Sequence, residues 1–342
     1  ALTTDGTGAA TVVDATGNLD FAASTVGGAL TATSSNGSIT DSGVLAITGN
    51  ADFTAADGEK IYLDQASTFS GTLDFNAGSG TLNEVWVDNS TAVALLATTL
   101  DGNLTVRSGG AVTQTGALDI GGKSDFIITD GSAQNVTLTQ NANDFTGAVS
   151  ITNGAQMRLD TSGALVIGTI QGSWVIIESS GAVTQSAAST IDTSNFFSVD
   201  ARSADNNTYY DVTLTNPGNE TTSIKNIIAK NFTYLEEDGI RISTDNVTET
   251  FTLRAGGDIT DYDDGMASSS GTMDAVITAR SSDGGTYYDI TLDDVDGNFK
   301  TASVIGKAVQ LVDAGAIDLG ASTVTETFAV TATAGGDITD SG

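Results

Sequence analysis

The chain has 342 residues and a mass of 34.5 kDa, with no Cys, no His and a single Pro. Disulfide frameworks, zinc or haem sites built on thiolate or imidazole, and catalytic triads that need either group are therefore excluded. Forty-three acidic against 12 basic residues give a formal charge of −31, and the Lys and Arg are scattered singly from Lys60 to Lys307. A polyanion needs a basic face, so no nucleic acid partner is expected and anionic membrane surfaces are disfavoured.

In chain order, the first recurring phrase is Asn36-Gly37-Ser38-Ile39-Thr40-Asp41-Ser42-Gly43. It returns as GGAVTQTG over 109–116, SGAVTQSA over 180–187, GGDITDYDDG over 256–265 and GGDITDSG over 335–342. The shared threonines Thr40, Thr113, Thr184, Thr260 and Thr339 are spaced by 73, 71, 76 and 79 residues, a period that marks one supersecondary unit repeated. A second recurrence supports it: Ala201-Arg202-Ser203 leads into NNTYYDVTL and Ala279-Arg280-Ser281 into GGTYYDITL, with Thr208 and Thr286 lying 78 residues apart. Between anchors, the cores Leu104-Thr105-Val106, Phe126-Ile127-Ile128, Val149-Ser150-Ile151 and Trp174-Val175-Ile176 recur at near-equal intervals, so three short coils make one large repeat.

Each coil consists of runs of four to six residues rich in Val, Ile, Thr, Phe and Tyr, alternating apolar with polar and separated by Gly, Asn, Asp and Ser. That is strand-and-turn chemistry. No dozen-residue window keeps an apolar 3.6 period, and Asn216-Pro217-Gly218 is a turn. A short strand cannot bury its apolar face alone, but coils stacked on coils bury it continuously. The expected fold is all-β: a single-stranded, right-handed parallel β-helix (β-solenoid), with about 14 coils of roughly 22–26 residues at the usual strand spacing. It runs over 1–342 as one continuous solenoid without a separate catalytic domain. Ile127 and Val149 are expected inside it, as are the rings of the Asp-Phe steps at Phe21, Phe53, Phe75, Phe126 and Phe145. The longest apolar run, Ala92 to Leu100, is too short to span a bilayer, so no membrane insertion is expected.

The phrases GGAVTQTGALDIGG, NANDFTGAVSITNGAQMRLDTSGAL, LVDAGAIDLGASTV and AGGDITDSG resemble the repeat regions of giant bacterial surface adhesins of the filamentous-haemagglutinin-like and autotransporter type. The resemblance implies a parallel β-helix exported to the cell surface. On this reading the chain is a non-enzymatic, extracellular structural or adhesive fibre segment. Its partners are copies of itself, either stacked head to tail or continuing as a longer repeat array, since neither end looks capped. Surface glycans are the alternative partner, and a polysaccharide lyase or hydrolase is a third reading. The segment from Phe196 to Asn298 departs most from the common pattern.

Two sets of residues there invite a functional reading. Asp258, Asp261, Asp263 and Asp264, with Asp294 and Asp296 in a second acidic run, are calcium candidates, and beyond calcium no cofactor is expected. They match neither the twelve-residue calcium loop nor the nine-residue glycine-rich repeat, and ordinary solvated turns are the favoured explanation. The pairs Tyr209-Tyr210 and Tyr287-Tyr288 must each turn one ring outward if they lie in a strand, which makes them surface-binding candidates; covering a coil edge is the plainer alternative. Arg202, Arg241, Arg254 and Arg280 are isolated in sequence, Arg202 and Arg280 at equivalent repeat positions where they stack or pair with acids. Eight Asn-x-Ser/Thr sequons, at Asn36, Asn89, Asn103, Asn135, Asn206, Asn219, Asn231 and Asn246, are little more than this composition produces by chance.

Overall fold

A computed structural model describes residues 1–131, 134–244, 246–266, 273–295 and 297–342, giving for 263–266 the backbone alone. Among the described residues there are strands, bridges and turns but no helix, and so no helix long and apolar enough to cross a membrane. Two compact units make up the chain, Ala1–Gly172 and Ser173–Gly342. Each is a parallel β-solenoid.

In the first unit, Ala10–Asp14 pairs with Leu30–Ser34, that strand with Ala51–Ala55, and that with Thr72–Ala77, all parallel and all in register. The column Val12, Ala32, Phe53, Phe75 follows from this, because alternate residues point inward and each strand repeats the phase of the one before. Phe53 and Phe75 stack with ring centroids 6.0 Å apart and planes 17° from parallel. Phe21, Phe53, Phe75, Phe126 and Phe145 are all buried, as their Asp-Phe steps suggest. Val149 is buried too. Ile127 is not: it stands on the outer column between Arg107 and Thr152, and Phe126 and Ile128 on either side of it point inward. In an apolar run of three, sequence alone leaves the phase open.

In the second unit the main column runs Val212, Phe232, Phe251, Ala275, Ala302. Phe232 and Phe251 stack at 5.4 Å and 16°. A second column runs Ile259, Ile290, Val309, Phe328.

The two units together contain about 16 turns, a few more than the sequence spacing suggests. The difference lies in the turns. Leu30 to Ala51 takes 21 residues, Val93 to Val112 takes 19, and Phe232 to Phe251 takes 19, because many corners are bends of two or three Gly, Ser or Asn residues. These corners stack tightly. A Cβ on Gly102 would collide with the carbonyl oxygen of Asn83 in the coil before, an approach that only glycine permits. The long coils are exceptions: Val183 reaches Val212, and Ile259 reaches Ile290, only after a much longer excursion of the chain. Both contain an Ala-Arg-Ser…Tyr-Tyr segment.

Candidate functional site

The two Ala-Arg-Ser segments fold alike, as loops extruded from the ladder. Each is closed by a bridge of antiparallel sense, Arg202 with Tyr209 and Arg280 with Tyr287. In the first loop the Ser203 amide donates to Thr208 O at 2.8 Å and the Thr208 amide to Ser203 Oγ at 2.9 Å; in the second, Ser281 and Thr286 make the same two bonds at 2.9 Å. Ser203 Oγ and Ser281 Oγ each donate to the Asp two residues on, at 2.6 Å, and those exposed carboxyls, Asp205 and Asp283, sit below the ordinary carboxylate range because of these hydroxyl donors first. Asn206 (φ 59°) and Gly284 (φ 73°) occupy the same left-handed position at the bend, and Asn is the residue after Gly that best tolerates it.

The tyrosines therefore lie on the returning arm of a loop and not in a strand. All four are half-buried. The Tyr210 and Tyr288 amides donate to Ala201 O and Ala279 O at 2.9 and 3.0 Å, and Tyr209 Oη accepts from Asn246 Nδ2 at 2.9 Å. The paired arginines diverge. Arg202 forms a two-pronged ion pair with Asp200 through Nε and Nη2. Arg280 instead donates from Nε and Nη2 to Gly284 O at 2.9 and 2.5 Å and lies over the Tyr287 ring, 4.8 Å from its centroid.

The acidic run is divided by the fold. Asp258 is exposed, and its Oδ1 accepts the Asp289 amide at 2.9 Å. Asp261 Oδ2 accepts the Asp294 amide at 3.2 Å, and burial raises its carboxyl above the ordinary range against the pull of that bond. Asp294 contributes its backbone N–H to this contact. The side chains of Asp263 and Asp264, and the whole of Asp296, lie outside the described residues. Among the described residues no three acidic side chains gather closely enough to hold a metal ion. Next to Asp261, the Tyr262 ring receives Lys225 Nζ at 3.6 Å and Arg241 Cζ at 3.8 Å, a stack of two cations on one aromatic that sequence reading missed because the three residues belong to different coils.

Asp261 is one instance of a general device, for the residue after the anchor threonine reaches to the next coil. Asp41 Oδ1 accepts the Asp64 amide at 2.9 Å, and burial pushes this carboxyl up to about 6. Gln114 and Gln185 hold fully buried asparagines. Asn143 Oδ1 accepts from Gln114 Nε2 at 2.8 Å and from the Leu118 amide at 2.9 Å, while its Nδ2 donates to Gln114 Oε1, Leu138 O and Asp160 O. Asn219 repeats the pattern with Gln185, the Ile191 amide, Leu214 O and Leu235 O. Burial also removes Asn219, and likewise Asn89, from the accessible sequons.

A further buried acid, Glu236, was hidden from sequence reading. Its Oε2 accepts the Thr221 amide at 2.9 Å, and burial pushes its carboxyl up to about 8. Beside it Tyr234 Oη shares a 2.6 Å hydrogen bond with Thr221 Oγ1.

Five segments, 7–76, 82–152, 154–227, 229–305 and 306–342, match the model of a family described as repeats of unknown function (DUF5649). The chain belongs to this family. Each DUF5649 match contains one anchor threonine, and the two Ala-Arg-Ser loops fall in the third and fourth. No curated protein and no solved structure matches the chain.

Proposed function

We propose that the chain is a non-catalytic structural segment of an extracellular fibre or giant adhesin, of the filamentous-haemagglutinin-like or autotransporter type. The observation that carries this reading is the register. Coil after coil repeats its inward apolar and outward Thr and Asp positions, so that Thr11, Thr31 and Asp52 follow one another on the outside while Val12, Ala32 and Phe53 do so within. Such a ladder supplies length and stiffness through backbone hydrogen bonds, and the outward carboxyls keep neighbouring molecules dispersed. The buried acids are occupied with backbone amides, a structural duty that supports a role without chemistry. The partners in this reading are further copies of the repeat. Antibody labelling of intact source cells, with electron microscopy of material released from them, tests it. Labelled surface filaments are expected; labelling that appears only after permeabilisation overturns it.

A second reading, a glycan-binding surface, draws on the two loops, whose tips at 204–208 and 282–286 are largely exposed beside half-buried tyrosines. Aromatic side chains with a polar rim suit sugar rings.

A further inference from the structure

The third and fourth repeats differ most in charge at one place. Counted from the anchors Thr184 and Thr260, Glu178 and Arg254 occupy the same position; counted from Thr208 and Thr286, so do Asp200 and Thr278, and Arg202 and Arg280. In the third repeat two acids attend one arginine, since Asp200 pairs with Arg202 and Glu178 lies within its electrostatic reach. In the fourth repeat both acids are gone and a second arginine has arrived.

Arg254 and Arg280, carried by successive coils, line one groove of about 230 Å³ with Pro217, Leu235, Glu237 and Ser282. Among the described residues neither guanidinium has a carboxylate within 4.0 Å. Each is oriented by carbonyls of the loop: Arg254 Nη2 lies 3.4 Å from Ser281 O and from Ser282 O, and Arg280 is fixed on Gly284 O. A guanidinium carries five N–H donors, so each keeps donors free of these bonds. In a chain of charge −31 with 12 basic residues, two arginines that line one groove without an ion-paired carboxylate are a departure from the third repeat, even though Asp283 lies within electrostatic reach of Arg280 and Glu236 and Glu237 line the same groove. Pro217 and Leu235 add an apolar wall.

We infer that this groove binds a carboxylate-bearing sugar residue, its carboxylate on Arg254 and Arg280 and its C–H face against Pro217 and Leu235. Planar guanidinium forks match a carboxylate, and a cavity of this size admits one monosaccharide ring. Glu237 at the rim and the overall negative charge select for a single acidic residue over a dense polyanion. The inference rests on the glycan-binding reading and is independent of filament formation, since the groove lies within one unit.

The test is ligand-observed saturation-transfer NMR on the full chain with galacturonate and N-acetylneuraminate, and with galactose as the uncharged control. One or both acids should bind, and galactose should bind at least about tenfold more weakly, the worth of one charge-assisted pair. Arg254→Gln and Arg280→Gln should each weaken binding about tenfold, and Thr278→Asp, which restores the acid of the third repeat, should do the same, all with unchanged circular dichroism. Arg202→Gln should leave binding intact. Absence of binding by either acid, or equal loss in Arg202→Gln, overturns the site. Equal binding of galactose and galacturonate, undiminished in the variants, would preserve a glycan-binding surface and overturn this assignment. Dimers in sedimentation that dissociate in Arg254→Gln would mean that the arginines meet a second copy, which also overturns it.

Discussion

Glu236 and Asp313 do the same work one repeat from each other: Glu236 Oε2 accepts the amide of Thr221 at 2.9 Å, and Asp313 Oδ2 accepts the amide of Phe299 at 2.6 Å. Both are buried, and burial raises both carboxyls. Glu236 moves from 4.5 to about 8 and Asp41 from 3.8 to about 6. The folded chain therefore holds protons that the unfolded chain releases. This stabilisation is complete below the unfolded values near 4 and is lost as pH rises through about 6 for Asp41 and about 8 for Glu236. Melting followed by circular dichroism should show a higher Tm at about pH 5 than at about pH 8.5, and Glu236→Gln should remove most of the slope between about pH 6 and 8. A Tm that climbs over this range would refute the assignment.

The amide clamps should be costly to break. Asn143→Ala strands the buried Leu118 amide and Leu138 carbonyl and removes a partner of the half-buried Gln114 side chain. A loss of about 3 kcal/mol is expected, near the upper range for buried hydrogen-bond partners left unsatisfied. Asn219→Ala should cost a similar amount. Urea unfolding of the two variants measures this, and a loss below about 1 kcal/mol in both would show that the clamps are incidental.

The phase of the strand at Ser124–Ile128 separates two neighbouring substitutions. Val149→Asp places a charge in the apolar interior and should cost more than about 4 kcal/mol, or prevent folding. Ile127→Asp, on the outer column beside Arg107, should change stability by no more than about 0.5 kcal/mol. Comparable losses in the two would mean that the register is shifted by one residue.

The bends of the two loops share a left-handed backbone conformation, and at Gly284 a Cβ would in addition lie 3.0 Å from Arg280 Nη2. Gly284→Val forces a β-branched residue into φ 73° and should cost about 1–2 kcal/mol, whereas Asn206→Gly, at φ 59°, should be close to neutral. Thermal melts of the two variants make the comparison. A destabilised Asn206→Gly would point to side-chain bonding at that position in place of backbone strain.

The fold was legible because its signals are local and repeated. Alternation and turn residues report each coil, the spacing of Thr40, Thr113, Thr184, Thr260 and Thr339 reports each large repeat, and the two levels agree. Phase and length were less so: Ile127 sits among apolar neighbours that allow either face, and a short corner reads much like a longer one. The acidic runs are ambiguous in sequence for a physical reason. A carboxylate that caps a backbone amide, as Asp258 and Asp261 do, has the same sequence appearance as one that ligates an ion. Asn143, Asn219 and Glu236 resemble solvated turn residues until the following coil closes over them. Arg254 and Arg280 become neighbours only through stacking, so no linear reading joins them.

The ladder tolerates unequal coils. The coil that carries Val183 to Val212 is much longer than the next, from Val212 to Phe232, yet parallel pairing is kept on both sides. The surplus chain leaves at Ala201, makes its own closure between Arg202 and Tyr209, and rejoins without disturbing what lies above or below. The corner after Ala201 is thus a port: peptide can be lengthened, exchanged or spliced there while the scaffold keeps its folding instructions, so that repeats sharing one architecture are free to diverge in what they display.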